Sequence, residues 1–248
     1  EEAYLNRGIV KGILGDYNGA IKDYNKAIEL NPNNAEVYFD LGLAKTELGD
    51  YYSAIKAFSK SIELSPIFVT AYYNRGNAKL RLGDYNGAIK DYNEAIEINP
   101  YYEIAYNNRG VAKLNLGDYY GAIEDYNKAI ELNPNYAEAY NNRGMAKGEL
   151  KDYYGAIKDY NKAIELSPYS EDTYFYRGNS KLILKDYYGA IKDYNKAIEL
   201  YPNYAAAYYN RGLAKINLGN KKGGCLDLSK AGELGLEEAY EIIKNNCK

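Results

Sequence analysis

The stretch Glu103 to Pro134, EIAYNNRGVAKLNLGDYYGAIEDYNKAIELNP, decides the fold. Its first half carries small or apolar residues at Ala105, Tyr106, Gly110, Ala112 and Leu116, and its second half at Tyr119, Ala122, Ile123, Tyr126, Ala129, Ile130 and Leu132. Spacings of three and four mark one face of a helix, so each half reads as an amphipathic helix. Gly117-Asp118 separates them: the glycine ends the first helix in a left-handed conformation and the aspartate caps the second. Asn133-Pro134 stops the second helix, because proline disfavours helical geometry in the residue before it.

Working outward, the chain aligns on itself at an offset of 34 residues, with units 1–34, 35–68, 69–102, 103–136, 137–170, 171–204 and 205–236. Position 8 of the unit is Gly in all seven copies, from Gly8 to Gly212, and position 4 is Tyr in all seven. All 6 prolines of the chain fall at position 32. In units five and six Lys151 and Lys185 replace the turn glycine; a left-handed lysine costs on the order of 1 kcal/mol, so those turns are expected to be shaped differently. The last unit decays at Gly224 and Leu228, and residues 237–248 follow as an amphipathic cap with Ala239, Tyr240, Ile242 and Ile243 on one side.

The period, with Tyr106, Gly110, Ala122, Tyr126, Ala129 and Pro134 in place, resembles the tetratricopeptide repeat family. The resemblance implies an all-α fold: an α-solenoid, a right-handed superhelix of seven helix-turn-helix repeats plus a C-terminal capping helix, forming one domain over 1–248. Two positions depart from the family pattern. The leucine of position 7 is Arg in six units, and the aromatic of position 11 is Lys in all seven. Arg at 7 and Asp at 23 occur together in six units and are lost together in the second, to Leu41 and Ala57. The joint loss predicts an ion pair inside each unit, since a pair between successive units would strand Asp23 or Arg75.

Composition narrows the function. There is no histidine, the commonest general acid/base and metal ligand, and no convergent set of titratable groups stands out, so no catalytic residue, metal or cofactor is assigned. Lys plus Arg number 31 against 34 Asp plus Glu; a net charge of -3 argues against a nucleic-acid role. No apolar run approaches the roughly 20 residues that span a bilayer, so the segment reads as soluble, with cytoplasmic and exported locations both open. The chain starts at Glu1 without a Met, so upstream residues or processing are expected.

The expected partner is a protein. The family resemblance assigns positions 2, 5, 6, 9, 12 and 13 to the concave face. Position 6 reads Asn6, Asp40, Asn74, Asn108, Asn142, Tyr176 and Asn210. An asparagine both donates and accepts, so such a column satisfies an extended peptide backbone without reading its side chains. It is similar to the asparagine ladder in the tetratricopeptide arm of protein O-linked N-acetylglucosamine transferases; the alternative is a solvated polar column with no ligand. Position 5 adds Tyr73, Asn107 and Asn141, and position 9 adds Asn77 and Met145. No unit has Lys at position 2 or 5 or Arg at position 6, which excludes the family's carboxylate clamp for chaperone tails. The leading expectation is an interaction scaffold that takes an extended peptide or partner helix in the groove. Its rival is a structural spacer or assembly subunit without a groove ligand. Self-association is expected through the uncapped N-terminal end, where Ala3, Val10 and Leu14 lack a preceding helix. Most of the 32 tyrosines read as core; those at positions 18 and 34, including Tyr102 and Tyr204, receive no role. Cys225 and Cys247 are expected to meet in the capping layer as buried thiols, the alternative being a disulfide.

Overall fold

The computed structural model describes residues 1–247 and contains fifteen helices. The chain is an all-α helical-repeat solenoid, divided into two compact units, Glu1–Leu132 and Asn133–Lys248. The first unit holds α1 (Glu2–Ile13), α2 (Tyr17–Leu30), α3 (Ala35–Glu47), α4 (Tyr51–Leu64), α5 (Val69–Arg81), α6 (Tyr85–Ile98), α7 (Glu103–Asn115) and α8 (Tyr119–Leu132). The second holds α9 (Ala137–Glu149), α10 (Tyr153–Leu166), α11 (Glu171–Ile183), α12 (Tyr187–Leu200), α13 (Ala205–Asn217), α14 (Lys221–Glu233) and α15 (Glu238–Asn246). Within each unit every helix packs on the next in sequence, and alternate odd-numbered helices, the A helices, also touch: α1 with α3, α3 with α5, α5 with α7, then α9 with α11 and α11 with α13. Among the described residues, successive even-numbered B helices show no comparable approach within either unit. The A helices therefore form the inner side of the curvature in each unit.

Local chemistry sets these boundaries. Each A helix ends in a residue with positive φ, such as Gly15 at 81° and Gly83 at 78°. Lys151 and Lys185 adopt the same conformation at 63°, so their turns keep the common shape, contrary to the expectation from their side chains. The next aspartate caps the B helix: Asp16 accepts from the Gly19 amide and Asp84 from the Gly87 amide, each at 2.9 Å. These bonds satisfy amides that a helix N-terminus otherwise leaves unpaired.

The glycine of position 8 is a packing requirement. A Cβ on Gly76 would stand 2.7 Å from Cε1 of Tyr92, and one on Gly110 2.6 Å from Cε1 of Tyr126. The ring of position 24 thus lies directly on the A-helix backbone, and Tyr92, Tyr126, Tyr194 and Phe58 are fully buried there. Small residues complete the seam, with Ala20, Ala27, Ala54, Ala88 and Ala95 inaccessible. At α1 the equivalent outer surface is open, with Val10 55% and Leu14 77% exposed.

Beside position 24, except in the second repeat, sits a buried carboxylate held by two cations. Asp91 receives Nε and Nη2 of Arg75 at 3.0 and 2.7 Å, and Lys79 Nζ lies at 2.7 Å. The same arrangement joins Asp23 to Arg7 and Lys11, Asp125 to Arg109 and Lys113, Asp159 to Arg143 and Lys147, Asp193 to Arg177 and Lys181, and Asp227 to Arg211 and Lys215. The ion pair within each unit is as the joint loss predicted; the lysine is a third member. The hydrogen bond from Arg7, then the bond from Lys11 and both positive charges, outweigh burial and hold the Asp23 carboxyl well below the usual range. Each of these arginines also lies over the tyrosine three residues before it, Arg109 at 5.3 Å from the Tyr106 centroid. In four of them Nη1 reaches the preceding B helix: Arg75 donates to Ser59 at 3.0 Å, and Arg109 to Asn93, Arg177 to Asn161 and Arg211 to Asn195 at 2.7 Å. In the second repeat Leu41 and Ala57 fill the seam with hydrocarbon instead.

At the other end α15 lies on α14, with Ala239 buried and Ile242 and Ile243 against Leu228 and Ala231. Tyr240 lies over Gly232, where an added Cβ would meet its ring at 2.6 Å, yet remains half exposed. Cys225 and Cys247 form a disulfide with a Cα separation of 5.9 Å, which corrects the expectation of free thiols. The sequence argument rested on compartment statistics, whereas helix packing brings the two Cα atoms to a separation that suits the bond. Lys248 of the expected 237–248 cap lies outside the described residues.

Two outcomes follow for stability. Gly76→Ala should destabilise by about 1–3 kcal/mol, because the overlap with Tyr92 exceeds the gain in helix propensity. Gly148→Ala, where a Cβ has open space, should instead stabilise by up to about 1 kcal/mol. Urea unfolding checks both signs. In a double-mutant cycle, Asp125→Ala should cost about 3 kcal/mol by leaving Arg109 and Lys113 without their carboxylate. Combined with Arg109→Ala the loss should be less than additive by at least about 1 kcal/mol; additivity would mean the contact carries no coupling.

Candidate functional site

The residues assigned to the groove separate into two sets. In the first unit, Asn108 Nδ2 donates to Asn77 Oδ1 at 2.9 Å and to the Tyr73 hydroxyl at 3.1 Å, while Asn77 Oδ1 also accepts from the Tyr92 hydroxyl at 2.7 Å. The second unit repeats the motif: Asn179 Oδ1 accepts from Asn210 at 2.8 Å and from the Tyr194 hydroxyl at 2.9 Å. Position 9 therefore ties position 6 of the following repeat to the ring of position 24 in its own. Asn74 donates to the Thr70 carbonyl of its own helix at 2.7 Å, Asn6 is exposed, and Asn142 is half-buried and hydrogen-bonded or otherwise engaged. Much of the column's donor capacity is spent within the protein.

Position 5 turns away from the groove, which corrects its assignment. Asn107 is fully buried and donates to Asn108 at 3.1 Å, out of reach of a groove ligand. Tyr73 packs on Tyr92 and Tyr102, with centroids 6.0 and 5.2 Å away. Phe39 meets Phe58 and Phe68 in the same way, and Phe175 meets Tyr194 and Tyr204. Tyr102 and Tyr204, left without a role by the sequence, are thus partners of position 5 in the repeat seam. Asn141 serves the polar version of this contact: its Oδ1 lies 3.1 Å from Thr173 Oγ1, which is 2.9 Å from Ser170 Oγ, and its Nδ2 lies 3.7 Å from Met145 Sδ.

Positions 9, 12 and 13, with positions 6, 9 and 13 of the following repeat, do come together. In the first unit Ile9, Gly12, Ile13, Tyr24, Asp40 and Glu47 wall a cavity of 330 Å³. In the second unit Met145, Gly148, Tyr160, Tyr176, Asn179 and Ile183 wall one of 390 Å³. Tyr160 and Tyr176 stack there with centroids 6.3 Å apart. Both cavities open where position 12 is glycine and position 6 of the next repeat is not asparagine. The sequence holds this signal as Gly12 with Asp40 and Gly148 with Tyr176, but nothing in the repeat pattern marks a missing side chain as a cavity. Among the described residues no group of three His, Cys, Asp or Glu side chains is arranged to hold a metal ion, and no helix is long and apolar enough to cross a membrane.

Models of the tetratricopeptide repeat match residues 69–102, 104–136 and 137–170, and models of the TPR repeat match 13–49, 43–83 and 178–219. The chain belongs to the tetratricopeptide repeat family. No curated protein matches it in sequence. Among solved structures it is similar to MamA at 32% identity and a TM-score of 0.62, over 65% of this chain and 94% of that one. A tetratricopeptide repeat protein from Parabacteroides merdae shares the fold at 23% identity and a TM-score of 0.75, over 100% of this chain and 98% of that one. YrrB, described as having an unusual peptide-binding site, shares the fold at 23% identity and 0.61, over 74% and 95%. As a tetratricopeptide repeat protein the chain has the architecture of a protein-interaction scaffold.

Asp40 is the electrostatic exception on this face of the repeats. Burial, and secondarily the charge of Glu36, push its carboxyl from 3.8 up to about 6. No lysine or arginine lines its cavity. Its folded-state value lies above the unfolded one, so ionisation destabilises the fold increasingly from pH 3.8 up through 6. Asp40→Asn should therefore raise the thermal midpoint at pH 7.5, and the gain should vanish below about pH 4. Melting curves across that range check the sign; an equal gain at both pH values would refute the ionisation argument.

Proposed function

We propose that the protein is an interaction scaffold that binds an extended segment of a partner protein along the A-helix side of its repeats. The observation that carries the reading is the contrast between seam and inner face. Positions 8, 20, 24 and 27 hold nearly the same small or aromatic residues in the first six repeats, while positions 9, 12 and 13 change chemistry from one repeat to the next and line cavities. A surface that only spaced other elements would have no need of side-chain-sized hollows beside half-buried amides. Groups of this kind, apolar walls with a few placed polar atoms, suit side chains and peptide bonds. The peptide-binding site described for YrrB supports the reading by analogy of fold.

The experiment is a peptide-display selection on the full chain, repeated with Asn6, Asn74 and Asn142 all changed to Ala. That triple variant spares the Asn108, Asn77 and Tyr92 network. Selected peptides should bind the wild type and lose at least about tenfold in affinity on the variant, the loss of one or two net hydrogen bonds, at an unchanged helical content. Peptides that bind both equally would remove position 6 from the site. A selection that retains nothing would favour the spacer.

A further inference from the structure

The cavity at Gly12 has a specific cause and a specific chemistry. Where position 12 is Leu80, Leu114 or Leu182, the side chain occupies the inner face; Gly12 has none, and a Cβ built there would come no closer than 3.8 Å to any neighbouring atom, the nearest being the Tyr24 hydroxyl. That hydroxyl belongs to a residue 4% exposed, faces the hollow, and makes no hydrogen bond within the protein, whereas Tyr92 and Tyr194 spend theirs on Asn77 and Asn179. Ile9 stands where those asparagines would be. Asp40 completes the wall, a half-buried carboxylate with no hydrogen bond or ion pair, and Glu47 adds a second negative group. Burying a carboxylate without a partner is unfavourable, and an incoming cation offsets that loss. The same glycine-made hollow in the second unit has Tyr176 in place of Asp40, so geometry recurs while the charge does not.

We propose that the cavity formed by Gly12, Tyr24 and Asp40 receives one lysine or arginine side chain of the bound segment, its alkyl stem against Ile9 and Ile13 and its cationic head on Asp40 and the Tyr24 hydroxyl. The proposal rests on the groove reading above and names what one of its positions selects. The apolar walls suit the stem of a long basic residue, which buries hydrocarbon while keeping its charge paired. Tyr24 remains protonated, because burial, then the charges of Asp40 and Asp23, push its hydroxyl up to about 12. Its oxygen is thus a neutral acceptor for the cation's second donor.

The test uses the full ¹⁵N-labelled chain and n-butylammonium chloride as the probe, with n-butanol as its neutral counterpart, read at the amides of Gly12 and Leu43. Butylammonium should shift both amides saturably and bind at least about tenfold more tightly than butanol. Asp40→Asn should weaken it about tenfold, and Gly12→Leu should abolish it. Both variants install a residue that other repeats carry at the same position, and circular dichroism verifies that they fold. Equal response to amine and alcohol, or an amine response unchanged in both variants, overturns the proposal. Peptides from the display selection should be enriched in Lys or Arg and lose that enrichment on Gly12→Leu. Retained peptides with no basic preference overturn this inference and leave the groove reading standing. Amine binding with no peptide retained overturns the groove reading, and the basic segment with it.

Discussion

The contact between the glycine of position 8 and the ring of position 24 sets the geometry of the first six repeats. With no side chain between them, the A-helix backbone rests on the flat of a tyrosine or phenylalanine, and the two helices approach as closely as an aromatic ring allows. That approach puts positions 7, 11 and 23 within reach of one another, so that an arginine and a lysine close on one aspartate. It also fixes how far the tyrosine projects. Its ring ends at the inner face; at Tyr92 and Tyr194 its hydroxyl is a partner of the asparagine at position 9, and at Tyr24 it is an open group beside a cavity.

Beside that ring the seam has two solutions. Six repeats bury a carboxylate that is 1–6% exposed and compensate it with two cations. The second repeat has Leu41 and Ala57, both buried, in the same space. Replacing a whole buried ion pair with hydrocarbon is often neutral, while losing one partner is not. The sequence shows both residues changed and neither changed alone. The arginine serves a further purpose that hydrocarbon does not, since its Nη1 extends from one repeat to the B helix before it.

The fold was legible because its constraints recur in register. A glycine, a proline and an aromatic repeated at fixed positions declare the period, and the paired loss at Leu41 and Ala57 declared the ion pair. The inner face was legible in part. Positions 5 and 6 are neighbours in sequence, about 100° apart on a helix, and that rotation sends Tyr73 and Asn107 into the seam while Asn74 and Asn108 stay near the groove. No side-chain property distinguishes the two directions, as both hold amides and aromatics. The hollows at Gly12 and Gly148 escaped for a different reason: a cavity is a missing side chain, and its outline depends on residues one turn and one repeat away. The disulfide turned on the distance between α14 and the end of α15, which no spacing in the sequence reports.

The arginine arms make the junctions between repeats unequal. Arg75 and Arg109 each fasten their repeat to the one before, but Leu41 has no group to extend, so α1 and α2 meet α3 through hydrocarbon at Leu5, Ala27, Val37 and Leu41 and through an exposed bond from Asn34 to the Glu1 carboxylate, with no arginine arm between them. Each junction of a linear array is held by its own nearest-neighbour contacts, so one that lacks the arginine arm opens at lower free energy than one that has it. The junction between the first and second helix pairs is therefore the one in its unit most ready to flex. The cavity of Gly12, Tyr24 and Asp40 straddles that same junction, so a molecule seated in it would act as a latch.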